Sequence, residues 1–172
     1  MTAHRILILG GTGDARTLAA RLANGGHDVI LSLAKKLGKP VDVHIDQENN
    51  PLEDETELLA EKTIEHGMQG RVFGVHAISL AAKDEREQDR IIEKVKEADM
   101  GIIICPSAAL SMKQLPMTAP LHNSIAPFVK LREAGVRCYL GVDNVHDLFM
   151  PMVDGDMWTE ARMLMEACRF YD

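Results

Sequence analysis

The sequence predicts an α/β protein built on a mostly parallel sheet. Short apolar runs alternate along the chain with longer amphipathic segments, which is the pattern of repeated strand–helix units. The 172 residues are 46% hydrophobic and 26% charged, as in a soluble globular chain with a sizeable core. We therefore expect one domain over residues 1–172, with three layers and five or six strands.

The first strand–helix unit is predicted at the N-terminus. Arg5–Leu9 is an apolar run typical of a buried strand, and a helix over residues 14–23 follows it. The turn between them consists of Gly10, Gly11, Thr12 and Gly13. Glycines before a helix N-terminus allow a phosphate to approach the backbone, although Arg16 stands where a dinucleotide fingerprint has its third glycine. A plain tight turn is the alternative.

The next segment gives conflicting signals. Asp28–Leu33 has the composition of a second strand, but only residues 34–40 separate it from the apolar run that begins at Val41. Seven residues are too few for a helical crossover between parallel strands. A helix over Val29–Leu37 is the alternative, because its apolar residues fit one helical face. We prefer the strand, and we expect a junction between two fragments near residues 34–40.

From Val41 onward, strands and helices alternate regularly. Strands are predicted at Val41–Ile45, Arg71–His76, Met100–Cys105 and Arg137–Val142. Helices are predicted over Glu53–His66, Asp84–Ala98, Ile125–Ala134 and Gly155–Phe170, with Asp154 as the cap of the last one. Residues 106–123 are expected to form a long loop.

Polar side chains occur where three of these strands end. His44 and Gln47 lie at the end of the Val41 strand, His76 ends the Arg71 strand, and Asp143 follows the Arg137 strand. Ligands collect at the carboxyl ends of parallel strands. Two histidines and an aspartate are metal-ligand residue types, so this edge is a candidate site.

Charge and composition exclude several partners. The net charge of −7 argues against nucleic acid and anionic membranes. No apolar run approaches membrane-spanning length, and the start lacks the layout of a signal peptide. The cysteines at positions 105, 138 and 168 are odd in number and have apolar neighbours, as expected of buried thiols in a cytoplasmic protein. We expect no specific macromolecular partner.

The N-terminal segment of the sequence resembles a known family. The stretch ILILGGTGDARTLAARLANGGHDVILSLA is similar to the start of precorrin-6A reductases, with Asp14 where a glutamate is expected. Those enzymes are NADPH-dependent, act in cobalamin synthesis and have a Rossmann-like fold. The similarity covers about residues 4–34, and NADP as a cofactor is implied by this resemblance alone.

The remainder of the chain resembles a different family. The motifs KLGKPVDVHIDQENNP, RVFGVHAIS, CPSAALSM and LGVDN are similar to the cytosine-deaminase-like branch of the amidohydrolase superfamily. Those proteins are metal-dependent (βα)8 barrels that hydrolyse amino or amide groups on nitrogen heterocycles. The resemblance implies that His44 is the fifth-strand metal ligand, His76 the sixth-strand histidine and Asp143 the eighth-strand aspartate that helps activate water. Gln47 falls where many members carry a proton-shuttling glutamate.

Two departures from that family weigh against a working site. Its first strand supplies an H-x-H pair to the metal, and this sequence contains no H-x-H. In an open sheet with neighbouring strands about 4.8 Å apart, the strands of His44 and Asp143 would lie about 14 Å from each other. We therefore expect the inherited donors to stay apart and no cofactor to bind; if the donors assemble, Zn or Fe is expected.

Our leading hypothesis is a chimera of two α/β fragments, engineered or recombined, with a Rossmann- or flavodoxin-like outline and no evolved activity. The structural alternative is a half (βα)8 barrel that forms a homodimer, because an unclosed half exposes its edge strands. The functional alternatives are a residual metal-dependent amidohydrolase or deaminase, and a phosphate or nucleotide binder at the Gly10–Gly13 loop.

Overall fold

The structure, a computed structural model of the chain, describes residues 31, 34–114, 122–148 and 150–171. Its strands are β1 (Val41–Ile45), β2 (Val72–His76), β3 (Gly101–Ile104) and β4 (Cys138–Leu140). Its helices with complete bounds are α1 (Glu55–Glu65), α2 (Ile78–Ala82), α3 (Glu85–Glu97), α4 (Pro106–Leu110), α5 (Phe128–Glu133) and α6 (Met157–Cys168). All four strands and all four helices predicted after Val41 are present, β1 with the predicted bounds and the other seven with shorter ones.

The four strands form one parallel sheet in the order β1-β2-β3-β4. This confirms the predicted α/β class with a parallel sheet. In the described part of the chain the strand order follows the sequence, as in a segment of a (βα) barrel, without the reversal of a Rossmann fold. Any further strand of the five or six expected falls outside the described residues.

One face of the sheet carries the main hydrophobic core. In β1, Val41, Val43 and Ile45 point to the helices, whereas Asp42 and His44 alternate to the opposite face. The core contains these fully buried large side chains: Leu31, Ile45, Leu59, Met68, Ile78, Leu80, Ile91, Met100, Ile102, Ile104, Ile125 and Leu131. Burial of this face therefore fixes the register of β1 and directs His44 away from the helices.

The opposite face is less covered. Phe73 and Tyr139 meet edge to face there, with ring centroids 5.5 Å apart. Nearer the carboxyl ends of the strands, Val75 and Cys105 form a small buried cluster with Ala108 of α4. The candidate site residues lie on this second face, beyond the small cluster.

Three local expectations are corrected. Leu31 and residues 34–37 are helical, so the strand expected over Asp28–Leu33 is wrong at its one described residue and the helical alternative holds there. The region expected to be a loop after β3 begins with α4, and α2 was not predicted at all. Asp156, not Asp154, caps α6 by accepting a hydrogen bond from Trp158 N at 2.9 Å.

The described helices are short. The longest with complete bounds, α3, has 13 residues. A membrane-spanning helix needs about 20 apolar residues. No described helix meets the length and hydropathy that spanning a membrane requires.

An ion-pair network joins α1 to α3. Glu57 accepts hydrogen bonds from both terminal nitrogens of Arg90, that from Nη2 at 2.8 Å, and from Lys94 Nζ at 2.7 Å. These cations, Arg90 above all, lower the pKa of Glu57 to about 2. The carboxylate is thus held ionised between the two helices.

Because the folded state holds Glu57 at a lower pKa than the unfolded chain, its contribution to stability is complete above pH 4.5 and is lost as the pH falls toward 2. We expect Glu57→Gln to lower the urea midpoint at pH 7, and we expect the difference from wild type to shrink steadily below pH 4.5. The matched control is Glu93→Gln on α3, where the side chain is 69% exposed and lies 3.9 Å from Lys96 Nζ. A difference that stays constant from pH 7 to pH 3 would contradict the assignment.

Candidate metal centre

The three predicted metal-ligand residues converge at the carboxyl edge of the sheet. His76 Nε2 lies 3.1 Å from His44 Nδ1 and 3.7 Å from Asp143 Oδ2. His44 Nδ1 lies 3.9 Å from Asp143 Oδ1. One donor atom from each residue falls within 4.8 Å of the others, the one group of this kind among the described residues.

The expectation that an open sheet keeps His44 and Asp143 apart is therefore wrong. The separation of about 14 Å assumed a flat sheet, whereas sheets twist and coil, and barrel strands direct their inward residues to a common axis. Asp143 also lies past the end of β4, in a segment that begins against β3, where Gly141 N donates to Ile104 O at 2.8 Å. Glycine at position 141 permits this approach. A Cβ there would lie 2.7 Å from Ile103 Cγ2 and 3.2 Å from Cys105 Sγ, which is too close for a side chain without a shift of its neighbours.

His76 reaches the site through an unusual backbone conformation. By strand alternation it belongs with Val72 and Gly74, which face the helices. Its φ of 80° lies in the left-handed region, and that of Ala77 is 51°. A positive φ rotates the Cα–Cβ bond to the other side of the chain, so the imidazole turns toward His44. Such a conformation costs roughly 1–3 kcal/mol in a residue other than glycine, and it is typical of functional sites.

The environment keeps His76 neutral. Burial, opposed by the charge of Asp143 and aided by the neighbouring His44, lowers its pKa to about 4. The side chain of His76 is only 3% exposed, against 38% for His44 and 23% for Asp143. Its Nδ1 is buried without a hydrogen-bond partner. The site therefore presents a neutral imidazole, the form that binds metal ions.

The donor set fits a divalent transition metal. Zn²⁺ binds imidazole nitrogen at about 2.0–2.1 Å and carboxylate oxygen at about 2.0–2.2 Å in a tetrahedron, which places its ligand atoms about 3.4 Å from one another. His44 Nδ1 and His76 Nε2 lie 3.1 Å apart, close to that value, and Asp143 places a different carboxylate oxygen near each of them, at 3.9 and 3.7 Å. Two imidazoles and one carboxylate also leave a coordination position open, as catalytic sites do.

A buried carboxylate next to the site has a role that sequence reasoning missed. Asp46, two residues after His44, is fully buried and has a φ of 48°. Its carboxylate accepts from Glu55 N, Thr56 N and Thr56 Oγ1, at the N-terminus of α1. Burial raises its pKa, and the bonds from Thr56 and Glu55 oppose that shift. In the sequence, this role is indicated only by a short polar residue at a strand end. Its partner Glu55 lies nine residues away, so no local motif identifies the pair.

The other candidate residues take no part in this cluster. Gln47 is half-buried and has no ionisable group, so it cannot transfer a proton as a glutamate would. Cys105 directly follows β3, and burial together with the charges of Asp143 and Glu160 raises the pKa of its thiol to about 12. The phosphate-loop candidates Gly10, Gly11, Thr12 and Gly13 lie outside the described residues.

The fold is that of a segment of a (βα) barrel with a candidate metal centre at its carboxyl edge, and the comparisons agree on this fold for most of the chain. The 5-methylcytosine deaminase of Klebsiella pneumoniae superposes with a TM-score of 0.78 at 20% identity, covering 88% of this chain and 36% of the deaminase. An N-isopropylammelide isopropylaminohydrolase from Burkholderia multivorans gives a TM-score of 0.68 at 24% identity, covering 85% and 34%. These likenesses establish the fold.

Sequence relatives point the same way. N-isopropylammelide isopropyl amidohydrolase of Pseudomonas sp. (strain ADP) is 32% identical over 133 residues, or 77% of this chain and 30% of that protein. An uncharacterized protein of Haemophilus influenzae is 44% identical over 100 residues, or 58% of this chain and 36% of that protein. The chain thus spans about a third of the length of each relative. The resemblance to amidohydrolases is confirmed.

The N-terminal resemblance is confirmed as well, with a correction to its extent. The model of the precorrin-6x reductase CbiJ/CobK family matches residues 5–69, under half of the chain. The match does not end near residue 34 as expected, but continues through β1 and α1. Since this match and the 133 residues aligned to the amidohydrolase together exceed the chain length, the two resemblances overlap.

The low pKa of His76 gives a direct test on protein stripped of metal by a chelator. We expect the His76 imidazole to titrate near pH 4 in an NMR pH series. Since the unfolded histidine takes up a proton near pH 6.5, the stability that this group contributes is complete above that pH and declines as the pH falls toward 4. Asp143→Asn removes the charge that raises this pKa, so the midpoint should fall further. A midpoint near 6.5 in wild type would contradict the buried neutral ring.

Proposed function

We propose that the chain holds a divalent metal ion at His44, His76 and Asp143 and belongs functionally to the metal-dependent hydrolases. The observation that carries this proposal is the convergence of the three donors, with separations of 3.1–3.9 Å, from three different strand ends. A neutral buried imidazole beside a carboxylate also suits cation binding better than a plain structural contact.

Each residue has a distinct part in this proposal. His44 and His76 hold the ion through ring nitrogens. Asp143 supplies the carboxylate oxygen, and its second oxygen remains available to accept a proton from an attacking water. When bound, the ion acts as a Lewis acid and allows water to react as a nucleophile near neutral pH.

The substrate class we propose is an amino-substituted nitrogen heterocycle. Support comes from the similar proteins, whose names are 5-methylcytosine deaminase, pterin deaminase and N-isopropylammelide isopropyl amidohydrolase. The first two names describe deamination of such a ring, and the third names an amidohydrolase that acts on N-isopropylammelide.

Metal binding is the first test. We expect purified protein loaded with Zn²⁺ and then desalted to retain about one ion per chain, because three donors already lie at coordinating separations. His44→Ala removes one donor and should lose the ion. His66→Ala is the matched control, since His66 lies at the far end of α1 from the site. Elemental analysis measures the stoichiometry, and size-exclusion chromatography in the same experiment tests the homodimer.

Either of two results would overturn the metal proposal. One is wild-type protein that retains no more Zn²⁺ than His44→Ala. The other is equal loss in His44→Ala and His66→Ala, which would indicate adventitious binding to histidines in general.

The second candidate function is a recombined or engineered scaffold with no evolved turnover. Two observations favour it: the chain matches a reductase family at its N-terminus and hydrolases elsewhere, and Gln47 stands where a proton-shuttling glutamate is expected. In this candidate the metal site is retained, but the reaction lacks its acid–base group. The free state of all three cysteines suits a cytoplasmic location in either case.

Turnover separates the two candidates. We expect the metal-loaded protein to release ammonia slowly from amino-substituted pyrimidines and triazines, and Gln47→Glu to raise the rate by about 100-fold, the usual contribution of a positioned acid–base group. Gln69→Glu adds the same carboxylate at an exposed position far along the chain and serves as the control. Ammonia release at the metal-free background in wild type and in Gln47→Glu would favour the scaffold.

A further inference from the structure

The buried network around Asp46 lies against the metal centre without contributing a donor to it. Asp46 follows His44 by two residues at the end of β1, and none of its side chain is exposed. Burial of a carboxylate is costly unless hydrogen bonds compensate, so its partners are expected to be specific. They connect it to the segments that carry both histidines.

The side chain of Asp46 fastens the end of β1 to α1. Asp46 Oδ1 accepts from Glu55 N at 3.0 Å, and Oδ2 accepts from Thr56 N at 3.1 Å and from Thr56 Oγ1 at 2.5 Å. In return, Asp46 N donates to Glu55 Oε2 at 2.7 Å. This is the reciprocal arrangement of a capping box, formed here across nine residues instead of three.

The backbone of Asp46 fastens the same strand end to the turn after His76. The carbonyl oxygen of Asp46 accepts from Ile78 N at 2.9 Å and from Ser79 N at 3.2 Å, and that of Ile45 accepts from Ala77 N at 3.2 Å. This turn begins with the left-handed residues His76 and Ala77. A conformation of that kind persists only where surrounding contacts hold it, and these hydrogen bonds are such contacts.

We propose that Asp46 is a positioning residue for the metal centre: by capping α1 and anchoring the turn after β2, it fixes the relative placement of His44 and His76. The proposal rests on the proposed function in so far as the two histidines bind a metal ion. The supporting cap Thr56 acts in the same way through its backbone N–H and its hydroxyl. Neither residue touches the ion.

The test compares Asp46→Asn with Asp84→Asn. The asparagine at position 46 keeps one accepting oxygen for three donors, so the network is broken with little change in size. Asp84 is also a helix cap, accepting from Glu87 N at 2.9 Å, but it caps α3 and is exposed. We expect Asp46→Asn to weaken Zn²⁺ affinity by about 10- to 100-fold, as changes outside the ligands of a metal site do, and Asp84→Asn to leave it unchanged.

Two further readouts distinguish positioning from general stability. The visible absorption of bound Co²⁺ reports coordination geometry, and it should change in Asp46→Asn but not in Asp84→Asn. Thr56→Val removes the hydroxyl donor and should weaken Zn²⁺ affinity by less than about tenfold, whereas Thr56→Ser keeps the donor and should restore it. If Asp46→Asn does not fold, the variants Thr56→Val and Thr56→Ser still test the proposal.

The positioning role of Asp46 can be tested separately from metal binding. Imidazole ¹⁵N shifts of His44 and His76 in metal-free protein report ring placement directly. If they move in Asp46→Asn and not in Asp84→Asn while wild type binds no Zn²⁺, the proposed function fails and the positioning role stands. Equal losses of Zn²⁺ affinity in both aspartate variants, or unchanged imidazole shifts in Asp46→Asn, would overturn the positioning role.

Discussion

The arrangement of the site depends on a single buried carboxylate at the end of the first described strand. Asp46 receives three hydrogen bonds from the start of α1, and its carbonyl oxygen receives two more from the turn after β2. Without these bonds, the backbone groups at both helix starts would be buried without partners, at a cost of about 1–3 kcal/mol each. Strand, helix and turn therefore meet at one residue, two positions from the first metal donor.

This interaction explains how a strained conformation is retained at His76. The left-handed φ opposes the strand alternation that would direct the ring toward the helices. The turn that follows is held by the carbonyl oxygens of Ile45 and Asp46, so the strain is offset by backbone hydrogen bonds just beyond the end of the parallel pairing between β1 and β2. The result is an imidazole turned toward His44, at the edge where the strands end.

The sequence was sufficient for the four strands and four of the helices after Val41, and for singling out the three residues of the candidate site. Alternation of apolar residues in β1 places Val41, Val43 and Ile45 on the core face, which leaves His44 on the other face without further information. Strand ends and residue types then single out His76 and Asp143.

The convergence of those donors could not be predicted in the same way. It depends on the positive φ of His76, on the curvature of the sheet and on the close passage of Gly141 over Ile103, all of which are set by tertiary packing. The flat-sheet estimate failed because it treated strand spacing as the distance between side chains. Asp46 was overlooked because its partner, Glu55, is nine residues away, outside the three-residue spacing that identifies a capping box.

These features bear on what a segment of a barrel can retain by itself. The chain spans about a third of the length of the relatives it matches, and the contacts that place its three candidate donors lie between described residues of the chain. His44 is placed by the β1 register, His76 by the Ile45 and Asp46 carbonyl oxygens, and Asp143 by the glycine that lets β4 approach β3. Within the described residues, contacts between neighbouring strands and the helices that follow them are therefore sufficient to bring the three candidate donors together.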